Sequence, residues 1–309
     1  MTVIFLPMIF WALSSVMTTR AVRHYGPAAT NRKRLLIALG ILGLWILAGP
    51  GFPKPSRSWA WLLFSGAVGL GLGDLAMLAG YRKVGARLTV LLLLCLAVPV
   101  AGVSEWIWIG TPITWRTGVL ILTLLTGVTI SVWPGEALPI ASGRVLAWGI
   151  FYGVLAALGQ GVATTLSRVA YDAARAGGAD VNGTVAAWQR MVGGLLCTLV
   201  AERFFRRSAG EPPLQRAGEL MVSPKAALTG HHPLLWLLLA TLCGQVLGLT
   251  AYQRALVTHS GILVQAVSTL TPVAVIPLAW WFEGDKPGWR GIIGGAVACA
   301  SAIALILWK

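Results

Sequence analysis

Gly73-Asp74-Leu75-Ala76-Met77-Leu78-Ala79-Gly80-Tyr81-Arg82-Lys83 aligns without a gap to Gly244-Gln245-Val246-Leu247-Gly248-Leu249-Thr250-Ala251-Tyr252-Gln253-Arg254. The leading glycine, the tyrosine and the basic residue two places beyond it recur in both. A short turn follows each tyrosine, then an apolar block holding one proline, Pro99 in the first copy and Pro272 in the second. A glycine, Gly118 or Gly291, opens the block after that. Self-similarity at this distance marks an internal repeat. The matched positions include Tyr, Gly and Pro, so shared apolar composition does not account for the match.

Working outward, apolar blocks of about 17–23 residues fill the chain, the length a helix needs to cross roughly 30 Å of hydrocarbon. Read from block length and from charged or Pro/Gly punctuation, helices are expected at 3–19, 33–49, 59–80, 87–109, 116–133, 145–167, 184–201, 234–254, 260–282 and 289–308. The chain therefore reads as an all-α integral membrane protein of ten transmembrane helices. The third to fifth correspond to the eighth to tenth, which makes two five-helix repeats, 1–134 and 145–309. An odd number of spans per repeat inverts one relative to the other, the plan of many secondary transporters. Long connections are expected at 168–183 and 202–233, the second a polar loop that also carries His231-His232.

Composition agrees with a bilayer as the main solvent. Of 309 residues, 57% are hydrophobic and 11% charged, and the mean hydropathy is +0.77. A soluble domain of this size needs more polar surface. The net charge of +14 comes mostly from clusters between apolar blocks, such as Arg32-Lys33-Arg34 and Arg82-Lys83 with Arg87. That is headgroup chemistry, and without an aromatic-basic platform it excludes a nucleic-acid partner. The first block, 4–19, has no cation before it and reads as a retained helix rather than a cleaved signal. Cys95, Cys197, Cys243 and Cys299 lie within apolar blocks without CxxC spacing, so neither a disulfide framework nor a metal site is expected. No cofactor is expected either.

With these features in order, the sequence resembles the drug/metabolite transporter superfamily in its ten-helix form with two EamA-type halves. The residues that carry the likeness are Trp11, Ser14, Ser15, Pro27, Arg32 to Arg34, Tyr81, Pro99 and Gly118, then Arg190, Tyr252, Thr271-Pro272, Glu283 and Gly291. The first half lacks a counterpart of Glu283, since Gly110 holds that position and Glu105 precedes it. The resemblance implies cytoplasmic termini. The Lys and Arg count points the other way, with about 16 in the odd-numbered connections against about 6 in the even-numbered ones.

Ionisable groups inside a span are costly and face a cavity or a partner. Asp74 lies in a glycine-rich span, where burial disfavours its ionised form, and is a candidate both for substrate and for proton coupling. Glu105, beside Trp106 and Trp108 near a helix end, is a second proton-coupling candidate and is expected to reach toward the interface. Arg190, after Gln189, is the cation expected to meet an anionic or zwitterionic substrate, because guanidinium binds carboxylate bidentately. Gln160, Gln245 and Gln265 are amides that need partners inside a span. Trp11 with Ser14 and Ser15 sets an aromatic plate and two hydroxyls on one helix face, and the repeated Tyr81 and Tyr252 complete the substrate-binding set.

No GxxxxGK[ST] stretch occurs, so transport would be driven by an ion or substrate gradient. The expected activity is secondary transport of a small polar or amphipathic metabolite, such as an amino acid, across a plasma or inner membrane. The alternatives are a membrane-embedded lipid-processing enzyme or a lipid translocase on the same scaffold. The enzyme reading is weakened by His24, His231, His232 and His259 all falling at loops or helix ends. The oligomeric state stays open between monomer and homodimer.

Overall fold

The computed structural model describes residues 2–25, 27–49, 51–52, 57–132, 143–208, 233–283 and 288–307. Among them every regular element is helical: α1 Leu6–Tyr25, α2 Pro27–Ala48, α3 Arg57–Gly66, α4 Asp74–Ile109, α5 Trp115–Val132, α6 Gly143–Ala176, α7 Gly183–Ser208, α8 Pro233–Thr241, α9 Leu249–Thr258, α10 Gly261–Ser268, α11 Thr271–Glu283 and α12 Trp289–Leu307. Two seven-residue π-helical segments, Ala67–Gly73 and Leu242–Gly248, join α3 to α4 and α8 to α9.

Seven helical stretches among the described residues are long and apolar enough to cross a membrane: Arg57–Met77, Leu92–Ile109, Gly143–Ala176, Gly183–Ala201, Pro233–Thr258, Gly261–Leu278 and Trp289–Leu307. Leu6–Ser15 and Trp115–Ser131 are shorter apolar helices. Large apolar side chains such as Leu44, Leu122, Trp115 and Leu307 point outward, as a lipid-facing surface requires.

Local chemistry sets several ends. Thr184 N–H donates to Asn182 Oδ1 at 2.9 Å, an N-cap for α7. Gly110, with φ 77° in the left-handed region, closes α4 by donating to the Glu105 and Trp106 carbonyls.

Three expectations need correction. The turn expected at 81–86 is made without a break in the helical backbone of α4, although Gly85 lies within it. The run is nevertheless not straight. A Cβ at Gly80 would lie 2.7 Å from Thr89 Cγ2, whereas nine residues of straight helix span about 13.5 Å. The chain thus doubles back between Gly80 and Thr89. Second, α6 continues to Ala176 and shortens the expected 168–183 connection, and α7 likewise continues to Ser208. The remainder of the loop at 202–233, with His231 and His232, falls outside the described residues. Third, Pro272 does not sit inside a helix as Pro99 does. The ninth expected span breaks at Thr269 and Leu270, and Pro272 is the second residue of α11. A ring without an N–H fits the first turn of a helix and disfavours helical backbone just before it.

Packing exchanges helices between the repeats. Ser65 bonds Ala163 O at 2.6 Å and Ser167 Oγ at 2.9 Å, while Gly159 closes on Gly73, so α3 and its π segment run antiparallel to α6. Leu92 meets Gly153, Val100 meets Gly161, and Ser104 Oγ bonds Thr165 Oγ1 at 2.7 Å. The later part of α4 thus runs parallel to α6. In the other repeat, Ser14 bonds Ala240 O at 2.9 Å and Trp11 lies against Gly248, which sets α8 and its π segment antiparallel to α1. α5 and α12 pack on each other through Gly127, Gly294 and Ala298.

Candidate functional site

The two π segments frame a polar interior. In a π turn the backbone N–H reaches five residues back, and Asp74 N–H donates to Gly69 O while Leu249 N–H donates to Gly244 O. Each of these carbonyls also takes a side-chain donor from the first helix of the other repeat. Gln160 Nε2 on α6 reaches Gly69 O at 3.4 Å, and Trp11 Nε1 on α1 reaches Gly244 O at 3.1 Å.

Around these grips the expected site residues converge. Gln160 Nε2 also donates to Asp74 Oδ1 at 3.1 Å. Asp74 stands within electrostatic reach of Arg34 and Arg190. Arg190 is 2% exposed, and its Nε and Nη1 have no hydrogen-bond partner among the described residues. Gln189 beside it is buried, with Oε1 unpartnered. The Tyr252 hydroxyl meets Gln265 Oε1 and Thr164 Oγ1, each at 2.7 Å, and its ring stacks obliquely on Trp11 with centroids 5.3 Å apart. Arg34 Nη2 donates to Ser14 Oγ at 3.3 Å. Gln245 is half-buried in the second π segment, next to the carbonyl that Trp11 holds. Asp74, Gln160, Arg190, Tyr252, Gln265, Trp11 and Ser14 are thereby brought together. Ser15 is not, being exposed with its hydroxyl bonded to Ala12 O at 2.8 Å on its own helix. The Tyr81 and Glu283 side chains lie outside the described residues.

Glu105 occupies a second place. Instead of reaching toward the interface with Trp106 and Trp108, which are exposed, it is 1% exposed. Its two oxygens accept from Gly261 N–H at 2.7 Å and Ile262 N–H at 3.1 Å, which caps the first turn of α10. Arg168 Nε lies 3.2 Å from Glu105 Oε1, at an angle that makes this an ion pair rather than a hydrogen bond. Arg168 Nη1 donates to Leu256 O at 2.9 Å and His259 O at 3.0 Å, and Arg175 Nη2 donates to Val257 O. The pair straddles the break between α9 and α10 with each charge at the helix end whose dipole it complements.

Sequence reasoning missed Arg34, Thr164 and both π segments. Arg34 hides in a basic run that reads as headgroup-facing. On a helix, however, successive residues are about 100° apart, and Arg34 meets Ser14 and Gly244, while Lys33 lies over the Tyr25 ring. Thr164 stands one turn beyond Gln160 on α6, a signal that was available.

These features define a multi-pass helical membrane protein with a charged, polar interior. The EamA-like transporter family model matches residues 1–133 and 147–307, and the chain belongs to that family of the drug/metabolite transporter superfamily. Its fold is shared with a solved structure described as "Crystal structure of protein", with a TM-score of 0.76 at 14% sequence identity, covering 99% of this chain and 96% of the other. No curated protein matches.

Proposed function

We propose that the chain is a secondary transporter that carries a small polar or amphipathic metabolite, such as an amino acid, by alternating access within a scaffold of two inverted five-helix repeats. The running directions support the inversion. α1 runs against α8 and its π segment, α3 runs against α6, and the last turn of α9 meets the C-terminal part of α6 through Arg168 and Leu256. Those three relations set α1 opposite to α6 and α3 opposite to α8, as a pseudo-two-fold axis in the membrane plane would.

The observation that carries the transport reading is the Asp74–Gln160 pair beside Arg190, with the two repeats each supplying members. Inside a bilayer such groups mark a substrate or ion path. Asp74 is the proton carrier in this reading, since among the described residues its side chain is held by one amide and two nearby guanidiniums. Glu105 is committed to two backbone donors and Arg168, and we assign it to holding the α9–α10 break.

The test is uptake into proteoliposomes, screened over amino acids and nucleosides with and without a pH gradient. Wild type is expected to accumulate substrate only with the gradient, and Asp74→Asn to keep exchange while losing accumulation. Identical gradient responses of the two proteins would remove Asp74 from coupling, and no flux of any compound would remove the carrier reading.

A further inference from the structure

Arg190 and Arg34 together place more positive charge in the interior than the described carboxylates offset. Arg190 is almost wholly buried. Its titratable neighbours are the Tyr252 and Tyr171 phenols and Asp74, of which only the last is a carboxylate. Arg34 comes from α2, with Asp74 again its acidic neighbour and its Nε buried and without a partner among the described residues. Glu105 is not among the groups facing either guanidinium, being held by Arg168 and the α10 N-terminus. One carboxylate therefore faces two guanidiniums.

A buried charge is expensive unless paired, and buried polar atoms in native proteins almost always find a partner. The unmet guanidinium atoms, Arg34 Nε with Arg190 Nε and Nη1, are N–H donors and outnumber the one unmet acceptor beside them, Gln189 Oε1. They call for acceptor oxygens carrying negative charge. Glycine leaves the guanidiniums close to helix backbone: a Cβ at Gly69 would lie 3.2 Å from Arg190 Nη2, and one at Gly244 would lie 2.8 Å from Arg34 Nη2.

We propose that the transported substrate is a net anion whose carboxylate or phosphate group seats between Arg34 and Arg190, displacing their shared interaction with Asp74. This rests on the carrier reading for the site's role and narrows its substrate class. A cation would meet two like charges, and a neutral solute, though able to accept hydrogen bonds, would leave the excess positive charge unmatched. A proton on Asp74 removes the competing carboxylate, so proton and anion load together.

The full chain in detergent is titrated with benzoate, glycerol phosphate, phenylalanine and tetraphenylphosphonium, reading ligand-induced shifts in melting temperature. One or both anions stabilise wild type, and which of them does so separates carboxylate from phosphate recognition. Arg190→Gln and Arg34→Gln weaken the apparent affinity roughly tenfold or more, the loss expected of a charge-assisted hydrogen bond, while Arg190→Lys retains part of it. Asp74→Asn tightens anion binding, an effect that a purely structural carboxylate would not produce and that survives if an arginine variant fails to fold. The inference is overturned if neither anion stabilises wild type, if the cation or the zwitterion binds best, or if Asp74→Asn weakens the anion. Anion binding without flux in proteoliposomes would sink the carrier reading alone. Flux of a cation with the arginine variants unimpaired would sink this inference alone.

Discussion

Glu105 shows how one side chain fixes two helix ends. It satisfies the buried N–H groups at the start of α10, which have no partner within the helix, while its ion-pair partner Arg168 satisfies carbonyls at the end of α9. Breaking a buried pair from one side leaves the other charge stranded. Glu105→Ala should cost about 3 kcal/mol, the low end for such a loss because Arg168 retains 16% side-chain exposure. The check is the melting temperature in detergent of Glu105→Ala, Arg168→Ala and the double variant, whose loss should fall well short of the sum. Additive losses would mean the two residues act independently. The carboxylate itself was legible in the sequence as an intramembrane acid, but its partner was not. Arg168 sits in a segment that reads as a connection until α6 is seen to continue through it, and Gly261 is remote in the chain.

At the scale of elements, the π segments decide where the site residues point. A π turn admits one extra residue, so the side chains on its two flanks are rotated relative to one another, and π-bulges of this kind recur at functional sites. Composition does not announce this, so the π geometry was not legible in the sequence. The repeat is also imperfect here: Gly73 ends the first segment, whereas its aligned mate Gly244 lies inside the second, one helical turn earlier than Gly248. Just ahead of the first segment, α3 crosses α7 at backbone contact, with Gly66 against the Arg190 main chain and Gly193 against that of Leu63. Nothing larger than glycine fits, and the crossing sets the position of Arg190. Gly66→Ala should push α7 away and destabilise the protein by about 1–3 kcal/mol through overpacking, read as a lower melting temperature. Gly118→Ala, where a Cβ meets nothing within 4 Å, should be neutral or slightly stabilising by helix propensity. Equal effects from the two would show that the crossing is looser than the contacts imply.

The whole molecule is not two separable halves side by side. α3 and α4 pack on α6 and α7, while α8, α9 and α11 pack on α1 and α2 or α7, and α5 pairs with α12. Because the exchanged contacts of α3 and α4 with α6 are built from glycine and small hydroxyl residues, that group is held closely enough to move as one body. Proposed alternating access then implies that the moving seam lies between α4 and α10, across the Glu105 break, rather than between the sequence halves. In a background with the four natural cysteines replaced by alanine, Gly102→Cys with Ile262→Cys spans this seam, since a Cβ at Gly102 reaches the Ile262 side chain. Ser104→Cys with Thr165→Cys instead lies within the α4–α6 body, where the two hydroxyls are 2.7 Å apart. Both pairs approach the separation a disulfide tolerates. Oxidation should stop flux in the first and leave it in the second, with reductant restoring the first. If oxidising Ser104→Cys with Thr165→Cys arrests transport as well, α4 and α6 slide past each other and the rigid body is drawn in the wrong place. If neither pair arrests it, the substrate path opens without parting α4 from α10.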